Sequence, residues 1–165
     1  GGLHTMSVRL RGGSILGAPV DEFFNFYAGG IMGMQGYTYY ALGGNEVFSA
    51  NVTYRFPILP SMGLRIGHLL FDKLYGGVFF DAGDAVMAPR DASLAGMKKD
   101  VGFDLRLESF SFSMYPTRIS FSGAYGLDEF TRQFSGQNVT YGREWRWYVS
   151  VLFGFDLSDG VRRLR

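Results

Sequence analysis

The sequence contains no cysteine, which excludes a disulfide framework and thiolate metal sites. It has no run approaching the ~18 uncharged apolar residues that a membrane-spanning helix needs. A surplus of one charge sign is missing too: 16 Lys and Arg stand against 15 Asp and Glu, a net charge of +1. Nucleic-acid binding is therefore not expected, because a phosphate-binding surface concentrates Lys and Arg. The basic end, Arg162, Arg163 and Arg165, is too short to change that. The two histidines, His4 and His68, are isolated, with no carboxylate or second His at ligand spacing, so no metal site is expected. Serine has no G-x-S-x-G context, and Gly29-Gly30 and Gly43-Gly44 lack the Lys and the following helix of a phosphate loop. Asp81, Asp84, Asp104 and Glu108 are read as charges facing water or arginine rather than as an acid–base pair. The chain is expected to be no enzyme and to hold no cofactor.

What is present is glycine, at 24 residues, and aromatics, at 17%. That combination suits twisted strands with interfacial rings better than helices. Mean hydropathy is +0.03, the near-zero value that results when lipid-facing and water-facing residues alternate.

Period-two alternation is the strongest signal. From Glu46 to Phe56, Phe48, Ala50, Val52, Tyr54 and Phe56 share one face, and Ser49, Asn51, Thr53 and Arg55 share the other. From Trp145 to Leu157 the apolar face carries Trp145, Trp147, Val149, Val151, Phe153 and Phe155, with Leu152 the one misfit on the polar side. Further strands are read at Met6 to Arg11, about Leu74 to Gly83, Val101 to Glu108 and Thr117 to Tyr125, with a tight turn between Ser109 and Pro116. Residues 12–44 read as a long Gly- and aromatic-rich loop with a function of its own. Asp84 to Asp100 and Asp128 to Gly142 read as outer loops, and Leu59 to Lys73 fits no single assignment beyond a turn and a strand start.

A soluble β-sandwich also alternates. Two features favour a membrane barrel: several segments reach the ~9–11 residues of a membrane strand rather than the ~5–6 of soluble sheets, and Asp104 and Arg106 stand mid-strand, where a watery lumen tolerates charge. The fold expected is all-β, an antiparallel transmembrane barrel in the bacterial outer membrane. Six strands are too few to close one, since the smallest has about eight. The chain begins at Gly1 without a starter Met or an export signal, so further sequence is expected before it. Trp145, Trp147, Phe153 and Phe155 are expected to form a lipid-facing girdle, with Tyr148 and Tyr141 beside them.

Five motifs occur in order along the chain: Met34-Gln35-Gly36-Tyr37, Gly43-Gly44-Asn45, Arg55-Phe56-Pro57, Phe79-Phe80-Asp81-Ala82-Gly83 and Tyr115-Pro116-Thr117-Arg118-Ile119. In this order the chain resembles the bacterial surface antigen superfamily, which includes the outer-membrane assembly factor and the two-partner secretion transporters. The resemblance covers almost the whole chain. It implies a sixteen-stranded barrel of which these are about the last six strands, spanning 1–165, with 12–44 folded into the lumen. It also implies periplasmic domains upstream and a role in translocating polypeptide or inserting outer-membrane proteins. The partners it implies are outer-membrane lipid and an unfolded or nascent polypeptide.

The family's loop tetrad, V-R-G-Y/F, places its Arg against the Asp of F-x-D-x-G. The implied loop-to-lumen set here is Gln35, Gly36 and Tyr37 with Phe79, Asp81 and Gly83. Gln35 stands where that Arg belongs. A Gln amide can donate to Asp81 but carries no charge, so the ion pair is replaced, or its cation comes from another Arg. A second departure is the basic tail after Ser158-Asp159-Gly160, in place of a terminal aromatic. The alternative roles left open are a passive or plugged pore and a membrane anchor for an upstream periplasmic or enzymatic domain.

Overall fold

The computed structural model describes residues 4–17, 21–31, 33–87, 96–112, 114–134 and 137–154. Among them the chain forms strands β1 (Thr5–Ser14), β2 (Phe26–Tyr27), β3 (Gly43–Gly44), β4 (Glu46–Leu59), β5 (Leu64–Ile66), β6 (Leu69–Val86), β7 (Lys98–Ser111), β8 (Tyr115–Gly126), β9 (Phe130–Phe134), β10 (Gln137–Tyr141) and β11 (Trp145–Phe153). A single 3-10 turn, Glu22–Phe24, is the one helical element described.

Six long strands make one antiparallel sheet in the order β1-β4-β6-β7-β8-β11, which is their order in the chain. Each strand pairs with the next along the chain, the meander that short connections permit. Among the described residues the sheet is not closed, and β1 and β11 are each paired on one side only. All-β architecture and antiparallel pairing thus agree with the sequence reading.

The alternation maps onto two faces. On one, Val8 and Leu10 of β1, Val78 of β6, and Trp147 and Val149 of β11 are all exposed. On the other, Thr53 and Asp81 are buried although polar. The register keeps this consistent, since Val8 lies opposite Val52, Val52 opposite Phe80 and Phe80 opposite Val101. Near the β7–β8 turn the apolar face becomes polar at Ser109 and Thr117, whose hydroxyls donate to the Thr117 and Tyr115 carbonyls.

The buried apolar cluster does not lie on the apolar face. It is formed by Ala28, Met34, Tyr37, Ala41 and Leu42 of the segment between β2 and β4, packed on Ala85 of β6, with Phe130 and Tyr141 of the β9–β10 hairpin against it. A soluble sandwich would cover its apolar sheet face with a second layer. Here that face has no second layer among the described residues.

Several boundaries differ from the sequence reading. β1 runs on through Gly12, Gly13 and Ser14, which pair with Phe48, Val47 and Glu46; glycines extend a strand without contributing to alternation. β6 starts at Leu69 and forms a small hairpin with β5, taking up much of the unassigned stretch. Its pattern is obscured by register shifts between Phe71 and Lys73, and between Pro57 and Leu59 on β4. The supposed outer loop at 128–142 holds the β9–β10 hairpin, pairing Phe130 with Tyr141 and Arg132 with Val139. Its strands have five residues each, too few to stand out beside polar neighbours. The loop between β6 and β7 is shorter than read, because β6 reaches Val86 and β7 begins at Lys98.

Candidate functional site

Residues from all six long strands line one polar cavity of about 250 Å³, among them Arg9, Asn51, Asp81, Arg106, Ser122 and Ser150. The sheet therefore curls around its polar face. One ion pair lies in the cavity lining, Arg55 Nε standing 3.5 Å from Asp104 Oδ2, and on the neighbouring strands Arg118 lies 3.8 Å from Glu108. Arg106 is half-buried with its Nε lacking a partner.

The segment 28–44 sits on this face and is folded on itself. The Met34 amide donates to the Ala28 carbonyl at 2.7 Å, and the Gly30 amide to the Tyr37 carbonyl at 2.9 Å. Its tip is the tetrad. The Gly36 amide donates to Asp100 Oδ2 at 2.8 Å, and the Gln35 backbone amide faces the Asp81 carboxylate and favours its charge. The Tyr37 side chain is fully buried. Its hydroxyl donates to the Lys99 carbonyl at 2.7 Å and accepts the Asp128 amide at 3.1 Å. Burial, opposed in part by those backbone bonds, pushes this hydroxyl up to about 12.

Glycine at 36 is required by space. A Cβ there would lie 2.5 Å from the Asp100 Cβ and 2.8 Å from the Gly126 amide nitrogen. At Gly83 an added Cβ would meet Ser49 Cβ at 2.9 Å and Met34 Sδ at 3.0 Å. Phe79 is buried beside Gly102 on the same face. Gln35, Gly36, Tyr37, Phe79, Asp81 and Gly83 thus all lie on or against the polar face.

The contact between Gln35 and Asp81 differs from the one expected. The Gln35 side chain turns to Ser122, whose hydroxyl donates to Oε1 at 3.1 Å, and its carbonyl accepts the Tyr148 hydroxyl at 2.8 Å. Only its backbone amide reaches Asp81. Arg11 of β1 exerts a favourable charge interaction on Asp81, the weakest of the influences on that carboxyl. Asn51 Nδ2 also donates to Asp81 Oδ1.

Asp100 was missed because it was read as the end of a loop. It is a β7 residue, fully buried, and the register partner of Asp81. The available signal was parity, since Asp100 continues the Gly102, Asp104, Arg106 face.

Of the girdle residues, Trp145, Trp147 and Phe153 are exposed on the apolar face, and Trp145 and Trp147 stack at 5.4 Å. Phe155 lies outside the described residues. Tyr148 does not belong with them; it faces the cavity side and holds Gln35, as its even position on β11 requires. Tyr141 packs on Phe130 in the hairpin. His4 Nδ1 lies 2.7 Å from the Tyr54 hydroxyl, and His68 stacks on Phe112. No group of three metal-ligating side chains occurs among the described residues.

Comparison with known proteins gives no matching family model, no matching curated protein and no matching solved structure. The class defined by the described residues is an all-β antiparallel meander with one apolar face that none of them covers and one polar face carrying a seated loop.

Proposed function

We propose that the chain is a sector of an outer-membrane β-barrel whose lumen loop, 28–44, controls the passage or insertion of polypeptide. One observation carries this: an apolar sheet face without a covering layer stands back to back with a polar face on which a loop is anchored by buried hydrogen bonds. Lipid is the solvent that makes such an apolar face favourable, and a water-filled lumen is the one that accommodates Arg55, Asp104 and Arg106. The two unpaired strand edges need partner strands in lipid, because bare N–H and C=O groups there cost several kcal/mol each. The polypeptide role draws on the resemblance to the bacterial surface antigen superfamily, two of whose five motifs, Met34-Gln35-Gly36-Tyr37 and Phe79-Phe80-Asp81-Ala82-Gly83, lie against each other at the loop tip.

A plugged, passive pore is the second reading, and the extent of the loop's anchoring favours it. The two are separated by a photo-cross-linker at Ile31, an exposed loop residue lining the cavity, carried by the protein in its own membrane. A translocating or inserting barrel gives cross-links to unfolded outer-membrane or secreted polypeptides that vanish when protein synthesis stops. Cross-links within the protein alone, unchanged by that arrest, refute polypeptide handling and leave the plug.

A further inference from the structure

Asp81 and Asp100 are neighbours across β6 and β7, both essentially without solvent contact. Each uses one oxygen well: Asp81 Oδ1 takes Asn51 Nδ2, and Asp100 Oδ2 takes the Gly36 amide. The other oxygen of each, Asp81 Oδ2 and Asp100 Oδ1, is buried with no hydrogen-bond donor, and the two carboxyl groups are within hydrogen-bonding reach of one another. Two ionised carboxylates in that arrangement repel and leave two desolvated lone-pair sites unmet. A single proton between them removes both costs.

We propose that Asp81 and Asp100 hold one shared proton between Asp81 Oδ2 and Asp100 Oδ1, and that this proton latches the 28–44 loop onto the sheet. The loop contributes the Gly36 amide, which donates to Asp100, and the Gln35 amide, which faces Asp81. The groups facing the pair are few. Arg11 acts on Asp81 from β1, the Tyr148 hydroxyl on β11 and the Tyr37 hydroxyl on the loop feel the charge of Asp100, and Asn51 on β4 is neutral. Arg11 offsets the negative charge of the pair only in part, and a shared proton removes one of the two charges. Loss of the proton as pH rises leaves two adjacent buried anions under the tetrad and releases the loop. This latch operates whether or not polypeptide passes the lumen.

The test follows a nitroxide on Ile31→Cys, in the membrane-embedded protein, together with infrared spectra of the same samples as pH is raised. The expected result is a protonated-carboxyl band that disappears in step with a gain in label mobility, at a lower pH than ionisation of Tyr37. Asp100→Asn supplies an N–H in place of the proton; it should keep the loop docked, remove the band and abolish that mobility step. Asp81→Asn does the same from the other side and serves if the first variant does not fold. Absence of a protonated band in the parent, or an unchanged mobility step in a folded Asn variant, overturns the proposal. So does release of the loop by a divalent-cation chelator at constant pH, which would assign the two oxygens to a metal ion.

Discussion

Val149 stands at the middle of β11, four residues from Trp145 and four from Phe153, with both ends carrying exposed aromatics. At ~3.3 Å per residue those rings are ~26 Å apart along the strand, which a tilt of ~35–45° reduces to ~20 Å across the membrane, within the ~25 Å apolar band of an outer-membrane barrel. The proposed barrel therefore puts Val149 near the bilayer midplane, and its side chain is 69% exposed on the apolar face. Replacing it by Arg should cost about 2–4 kcal/mol, roughly a 30- to 1,000-fold loss in the folding constant. Ser150 is the control, because it lines the cavity. Across the sheet from Ser150 come Ser120 and then Arg106, two strand spacings or ~9.6 Å away. In water that like-charge repulsion amounts to ~0.4 kcal/mol for Ser150→Arg. The assay is reversible folding into lipid vesicles against denaturant, followed by the fluorescence of Trp145 and Trp147, the chain's two tryptophans. Equal costs for the two variants would refute the assignment of faces.

Three further outcomes concern the loop. Gly36→Ala forces a methyl into Asp100 and Gly126 and should destabilise loop docking by about 1–3 kcal/mol, visible as faster proteolysis of 28–44 with the sheet intact; unchanged protection would contradict the packing. Because burial raises the Tyr37 hydroxyl from 10.0 to about 12, its contribution to docking is complete below pH 10 and is lost as pH climbs toward 12. Tyr37→Phe should remove that alkaline step from a spin-label titration and weaken docking at neutral pH by about 1–3 kcal/mol; a step that persists in the variant assigns it to another group. Cysteines replacing Gln35 and Ser122, whose side chains meet at 3.1 Å, should be joined by a short bifunctional thiol cross-linker, which makes up the length a cysteine lacks relative to glutamine. No cross-link in a folded protein would mean that the tetrad does not reach β8.

The six long strands and their faces were legible because one sheet face is apolar and exposed and the other polar, and that division along a strand has period two. Tyr148 shows the rule applied incompletely: its even position on β11 places it with Arg146 and Ser150, yet its ring alone suggested the girdle. The loop anchor was legible only in part. Two of its contacts run through the Gln35 and Gly36 amides, and backbone donors leave no trace in residue identity. Asp100 was hidden by its neighbours, since Lys98 and Lys99 at the start of β7 resemble loop charges. The β9–β10 hairpin was obscured for a different reason. It packs through Phe130 and Tyr141 at its base, and apart from Phe134 and Val139 the rest of its two strands is polar.

The central claim, that successive side chains along one strand meet hydrocarbon and water in turn, is open to direct measurement because the chain has no cysteine of its own. Single cysteines placed in turn from Trp147 to Leu152 in the membrane-embedded protein can be challenged with a charged, membrane-impermeant thiol reagent. Positions 148, 150 and 152 should react and 147, 149 and 151 should stay protected. Uniform reactivity along the strand, or protection of the even positions instead, would contradict the account.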